Sequence, residues 1–168
     1  VVALAGRPLA TDDTWWHLVM GGLYADGDLW PREDPLLHTT VLRAPIPHEW
    51  LFQVGLVGVE RWLGFSGLRV LHVAFVLAIG AFSLAVFRRA SRDLVAAAAA
   101  CTVLAVLAWF RLVQLRPELA SVIAVLAVYV LALRDERPPG ARRIAAALAV
   151  VLAWANAHSL FAIGLCLT

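Results

Sequence analysis

Lysine is absent from this chain. All 14 basic residues are arginine, so the only permanent side-chain cation it can offer is a guanidinium. With its wealth of Ala, Leu and Val, that bias points to a GC-rich bacterial genome. Cysteine is scarce. Cys101 and Cys166 both lie in apolar runs and share no metal-ligand spacing, which argues against a disulfide framework or a cysteine-based metal site. No secretory leader is visible either, since residues 1–5 are too short for an apolar leader core and lack a basic segment. They suit the outer end of a first span equally well. The chain opens at Val1 and closes at Thr168 inside an apolar run, and it reads as a segment with its first and last spans cut. Internal repeats are lacking, and Ala96–Ala100 is the only low-complexity tract.

Apolar residues are what the chain has in excess. They make up 62% of it, against roughly 45–50% in soluble domains, and such a surplus calls for lipid as solvent. A membrane-crossing helix needs about 20 apolar residues and tolerates about 17. Residues 68–87, 94–110 and 118–133 approach or meet that length, and a fourth stretch starts near Ile144 and runs to the end. Proline at position 117 suits the first turn of the third, where its missing N–H would be unpaired in any case. Arg134–Ala141, with Pro138-Pro139-Gly140, reads as a helix-breaking turn.

Arginine placement sets the expected sidedness. Arg88, Arg89 and Arg92 fall in one loop, and Arg134, Arg137, Arg142 and Arg143 in another two spans later, so both belong to the cytoplasmic side. Residues 1–50 carry seven acids against three arginines and belong outside, with the short turn 111–117. Residues 49–63 put Glu49, Gln53 and Glu60 within about 40° of one another on a helical wheel and read as a helix lying in the interface. Trp50 and Trp62 near its ends fit a membrane boundary. The expected fold class is therefore all-α: a polytopic helical membrane protein with a first extracytoplasmic loop carrying interfacial helices. Residues 1–66 would form the end of a first span, that loop and the juxtamembrane helices, and residues 67–168 a bundle of about four spans. The expected location is the bacterial plasma membrane, multi-pass, with the polar site facing outward.

With this topology the ionisable groups sort to one face. Asp12, Asp13 and His17 lie in the outer loop with Asp34, His38, His48 and Glu49; Arg111, Arg116 and Glu118 cap two spans on that side; Asn156 and His158 fall in the outer half of the last span. Each has a plainer reading. Asp12 or Asp13 can simply charge the first turn of a helix, Trp15 and Trp16 can form an interfacial belt, and His48-Glu49 can cap the following helix. Arg116 can pair with Glu118 or reach headgroups, and His72 reads as a packing histidine. The chemical readings are that Asp13 and His17, four residues apart, touch on one helical face, with the carboxylate orienting the imidazole. Arg116 suits a phosphate, which a guanidinium binds through two parallel N–H bonds. Polar groups as deep as Asn156 and His158 cost several kcal/mol unless they face a cavity or a partner.

The blocks "DTWWHLVMGGLYADGDLWPREDPLLHT", "PHEWL", "LRPELAS" and "WANAHSLF", in that order, resemble a family of bacterial polytopic membrane proteins. That family is grouped with the GT-C-type, protein mannosyltransferase-like glycosyltransferases that use polyprenyl-phosphate sugars. The resemblance implies a large first extracytoplasmic loop with an acidic catalytic base, which falls on Asp13. It places the family's His-Glu pair on His48 and Glu49, its Arg-Pro on Arg116, and its Asn and His on Asn156 and His158. Two positions differ: the family's Asp-x-Asp stands here as Thr11-Asp12-Asp13, and its Gly after the late His is Ser159.

The implied activity is transfer of a sugar from a polyprenyl-phosphate donor to a hydroxyl of a glycan, lipid or protein acceptor at the outer face. Asp13, with Asp12 and His17, would serve catalysis, while His48, Glu49, Arg116, Asn156 and His158 would hold substrate and phosphate. Asp12 and Asp13 can alternatively hold a divalent metal through oxygen ligands, and no other cofactor is expected. The lipid bilayer is an expected partner and nucleic acid is not. The rival readings are a transporter or flippase with an intramembrane polar pathway, for which the expected inverted repeats are missing, and a non-catalytic membrane scaffold.

Overall fold

A computed structural model describes residues 12–27, 29, 31, 47–133 and 138–162. Among these the chain is all-α, as expected, with no strand. Helix α1 is Asp12–Asp26, α2 Trp50–Ser91, α3 Leu94–Leu107, α4 the single turn Trp109–Leu112, α5 Pro117–Val128 and α6 Ala141–Ala157. A π-helical turn, Tyr129–Leu133, continues α5.

The 42-residue α2 is bent at Gly64, whose φ of 63° and ψ of −167° form a combination open essentially to glycine alone. The bend separates limb 50–63 from limb 65–91. The sequence reading assigned these to an interface helix and a span; they are one helix with a break between them, and α2 runs through the 66/67 boundary drawn from the sequence. A second difference concerns the polar stripe of limb 50–63. A lone interface helix would turn Gln53 to water, yet Gln53 is only 5% exposed. The reason is α1, which packs along this limb so closely that a Cβ on Gly21 would collide with the Gln53 carbonyl oxygen.

After limb 65–91 the chain reverses within two residues. Arg92 adopts the left-handed conformation (φ 56°) and donates its N–H to the Arg88 carbonyl, while the Asp93 side chain accepts from the Val95 N–H at 2.8 Å. Such an N-cap contributes about 1 kcal/mol, and it starts α3 back along α2. Helix α3 stops three residues short of the expected 94–110, because Ala108 leaves helical geometry (φ −90°, ψ 4°). His72, 2% exposed, hydrogen-bonds through Nε2 to the Leu112 carbonyl at 3.0 Å and so satisfies the backbone at the end of α4. Pro117 opens α5 as expected, after an extended Arg116. At the far end, Arg143 donates to the carbonyls of Leu131 (2.8 Å) and Val130 (3.1 Å), capping the π turn from α6. The fourth stretch does not run on to the end of the chain as one helix. Helix α6 stops at Ala157, where His158 becomes extended (φ −165°, ψ 145°).

The core joins these pieces: Phe52 and Leu56 from the first limb of α2, Leu68 and Ile79 from the second, Leu112 from α4, Leu115, and Leu119 from α5. Burying each such side chain is worth about 1.5–3 kcal/mol. Among the described residues α2 alone is long and apolar enough to cross a membrane; α3 and Pro117–Ala132 are shorter apolar helices. Limb 65–91 is about 40 Å long at 1.5 Å per residue, against about 30 Å for a hydrocarbon core. Large apolar side chains stand on the outside, with Trp62 88% and Leu107 81% exposed.

Candidate functional site

A cavity of about 400 Å³ opens where α1, the start of α2, the start of α5 and the end of α6 meet. Helix α1 supplies one wall through Asp13, Trp16, His17 and Tyr24; the start of α2 supplies the facing wall through His48, Glu49 and Gln53; Arg116, Glu118 and His158 complete it. Thr14, fully buried, donates its hydroxyl to the Leu115 carbonyl at 3.3 Å, which pins α1 beside the segment leading into α5. Asp13 consequently meets Arg116.

The Arg116 guanidinium forms an ion pair with Asp13 and lies 3.9 Å from Glu118 Oε1, which is also 3.3 Å from Arg111 Nη1. Its Nε is buried without a hydrogen-bond partner. A single guanidinium thus faces two carboxylates and keeps a donor unused.

Glu49, just before α2, sits among three imidazoles. Its carboxylate lies 3.5 Å from His158 Nε2, 3.8 Å from His17 Nδ1 and 3.9 Å from His48 Nε2. Burial raises its pKa above the ordinary carboxylate value, with the Glu118 charge pushing the same way and His48 opposing. Burial also lowers His17 from 6.5 to about 4, with the His158 and His48 charges adding to the drop and Glu118 opposing it. His17 is therefore neutral at pH 7 and packs edge-on against Phe52. The Gln53 amide nitrogen lies 3.2 Å from His17 Nδ1. An amide N–H can only donate, so Nδ1 accepts and the ring proton resides on Nε2.

A second chain of hydrogen bonds orients His158. The Trp154 indole N–H donates to Ser121 Oγ at 2.7 Å, and Ser121 Oγ lies 2.7 Å from His158 Nδ1. With one lone pair taken by the indole, the serine hydroxyl is free to donate to Nδ1, which leaves the proton on Nε2 facing Glu49. Ser121 and Trp154 act through His158 and are 4% and 2% exposed.

Of the residues singled out in the sequence, Asp13, His17, His48, Glu49, Arg116 and His158 line this one cavity. Asp13 engages Arg116 across the cavity, while His17, the neighbour suggested by its spacing, turns to Gln53 and Glu49. Asn156 is not in the lining. Its Oδ1 accepts from the Trp50 indole at 2.9 Å and its Nδ2 donates to the Leu152 carbonyl at 2.8 Å, so it ties the end of α6 to the start of α2. Asp12 is the first residue of α1, but its side chain, like Asp34, His38 and Cys166, lies outside the described residues. Among the described residues no three His, Cys, Asp or Glu side chains are arranged to hold a metal ion, and Asp13 is committed to a guanidinium rather than placed for a cation. Trp15 and Trp16 divide: Trp15 packs on Phe65 at 5.4 Å, outside the cavity, and Trp16 lines it.

Sequence reasoning missed Ser121 and Tyr24, and it read Gln53 only as part of the polar stripe of an interface helix. The signal for Ser121 was present, since a lone hydroxyl in the run "LASVIAVLAV" needs a partner once buried. Gln53 sits one turn beyond Glu49, which marks it too.

Next to the cavity lies an apolar groove of about 460 Å³ between α2, α3 and α5, lined by Ile79, Leu104, Leu112, Leu119 and Val122. Glu118 and His158 border both spaces. Compared with models of protein families, with curated proteins and with solved structures, the chain matches none.

Proposed function

We propose that this chain carries the donor site of a membrane glycosyltransferase that moves a sugar from a polyprenyl-phosphate carrier to an acceptor hydroxyl at the outer face of a bacterial plasma membrane. One observation carries the reading. A cavity with a guanidinium, partly buried carboxylates and imidazoles shares its wall with an apolar groove. An amphiphile with an anionic, hydroxylated head and a hydrocarbon tail fits that pairing. The motif resemblance points to the same substrate.

In this reading limb 65–91 of α2 crosses the bilayer, and α3, α5 and α6 cross beside it. With 14 residues in α3, 12 in α5 plus 5 in its π turn, and 17 in α6, they span about 21–25 Å, so the bilayer thins around them or flanking residues complete the crossing. The head of the donor reaches the cavity and its phosphate takes Arg116 through paired N–H bonds. Asp13 loses its partner in that exchange, and its carboxylate becomes available as general base. It accepts the proton of the acceptor hydroxyl as the oxygen bonds to the anomeric carbon. The bond from that carbon to the phosphate oxygen breaks, and polyprenyl phosphate leaves with the electron pair. Charge growing on the phosphate is met by Arg116 and by the His158 Nε2–H.

The test is transfer by full-length protein in membranes supplied with polyprenyl-phosphate sugars. Asp13→Asn is expected to abolish transfer at unchanged folded yield, and Arg116→Ala to lose donor binding. Normal turnover in Asp13→Asn would remove Asp13 from the mechanism, and an Arg116→Ala protein that bound donor normally would remove the phosphate cradle.

A further inference from the structure

The Asp13–Arg116 end of the cavity accounts for an anion but leaves the facing wall unexplained. On that wall Gln53 is 5% exposed and lines the cavity, yet its Oε1 has no hydrogen-bond partner. A buried acceptor left unmade costs about 1–3 kcal/mol, and such groups call for a water, an ion or a ligand. The amide nitrogen lies 3.2 Å from His17 Nδ1, so the oxygen is the end of the side chain left without a partner. His17 in turn packs edge-on against Phe52.

One helical turn earlier stands Glu49, a second, partly buried acceptor on the same wall. Residues four apart on a helix lie about 5–6 Å apart at Cβ, so the two acceptors form a pair. What such a pair binds is a group with neighbouring O–H donors. Anions are repelled there, and an apolar group would leave Gln53 Oε1 stranded. Trp16 and Tyr24 face this wall from α1.

We propose that Gln53 and Glu49 form a hydroxyl-receiving subsite that recognises the neutral, polyhydroxylated ring of the donor, with Gln53 Oε1 as its specificity-determining acceptor. This rests on the glycosyltransferase reading for the identity of the ring and deepens it: the anion is held at Arg116, and the sugar at the opposite wall. Selection follows from the physics of stranded acceptors. A site built to accept from a hydroxyl rejects a ligand lacking it far more strongly than an apolar pocket rejects a size change.

The experiment is a binding titration of full-length protein in detergent, followed by tryptophan fluorescence. The probes are sugar-free polyprenyl phosphate and the same lipid carrying glucose, mannose or arabinose. The wild type is expected to bind at least one loaded lipid about 10-fold more tightly than the bare one, the equivalent of about 1.4 kcal/mol. Gln53→Met, which keeps length and packing, is expected to erase that preference while leaving the affinity for bare polyprenyl phosphate unchanged; Gln53→Leu serves if the Met variant does not fold. A wild type with no preference for any loaded lipid overturns the subsite. So does a Gln53 variant that keeps the preference, or one that weakens bare and loaded lipid equally. Failure of the donor reading looks different: the wild type would then bind neither bare nor loaded lipid, or Arg116→Ala would bind both normally.

Discussion

The seam between α1 and α2 decides whether the candidate site exists, and Gly21 is where it can be tested. A methyl group at Gly21 would sit 2.8 Å from Val57 Cγ2 and closer still to the Gln53 carbonyl oxygen, where ordinary contact begins near 3.4 Å. Val57 can rotate away, but the carbonyl belongs to a helix backbone and cannot. The carbonyl therefore sets how far alanine at position 21 forces α1 outward, and that movement exceeds the about 0.6 Å that would clear Val57 where it stands. Overpacking of this kind costs about 1–3 kcal/mol, partly offset by the gain of about 1 kcal/mol from replacing glycine in a helix. The expected net loss, up to about 2 kcal/mol, corresponds to a melting point lower by up to roughly 8 °C for a chain of this size. Gly22 is the internal control. A methyl group there meets nothing within 4 Å, so Gly22→Ala gains the propensity alone and should melt at or above the wild type. Thermal unfolding of both variants in detergent, followed by circular dichroism, makes the comparison. If Gly21→Ala melts as high as Gly22→Ala, α1 does not pack on α2 at this distance, and the facing walls of the cavity lose their basis.

Three further outcomes follow from individual contacts. His17, with a folded pKa of about 4 against 6.5, refuses a proton that the unfolded chain accepts between those values, so its contribution is intact above pH 6.5 and is lost as pH falls towards 4. Glu49, whose pKa is raised, works in the opposite sense above its ordinary 4.5, so the His17 share is read as the difference between wild type and His17→Gln melts from pH 7 to 5; parallel curves would show that His17 is not the sensor. Ser121→Ala strands the buried Trp154 indole N–H, at a cost of about 1–3 kcal/mol in thermal unfolding, and an unchanged melting point would mean that the Trp154–Ser121–His158 chain is not formed. Asp13→Asn should bind polyprenyl phosphate up to about 5-fold more tightly, since a partly exposed ion pair of up to about 1 kcal/mol no longer competes for Arg116; equal or weaker binding would show that Asp13 and the phosphate do not share the guanidinium.

The all-helical class and most helix positions were legible because they rest on local rules. Pro117 opens a helix where its missing N–H does no harm, and apolar runs near helical length mark α3, α5 and α6. The helix ends were less so. Ala108 and His158 leave helical geometry without proline or glycine to announce it. The broken α2 was half legible: the change in polarity after Leu63 marked two segments, but only backbone angles reveal that Gly64 joins them as one bent helix. The gathering of acids, arginines and histidines was expected from charge sidedness alone. Its internal pairing was not, because helical spacing joined Asp13 to His17, whereas the tertiary fold gives Asp13 to Arg116 and His17 to Gln53. Asn156 was read by depth as a ligand-facing amide, yet both ends of its side chain are spent on Trp50 and Leu152. Burial cost requires a partner without naming one.

What makes this gathering more than a collection of polar side chains is where along the helices its members stand. Asp13 lies in the first turn of α1, Glu49 immediately precedes α2, and Arg116 immediately precedes α5. Three helix N-termini therefore border one small volume and add their positive dipole ends to the field there. Three carboxylates, Asp13, Glu49 and Glu118, answer that field in the structure. The same field favours any anion that can replace one of them, and the three are not equally replaceable. Glu49 is 14% exposed among three imidazoles and Glu118 is shared between two arginines, whereas Asp13 is nearly half exposed and rests on Arg116. An incoming phosphate meets least resistance by displacing Asp13, which is also the carboxylate that the reaction needs set free.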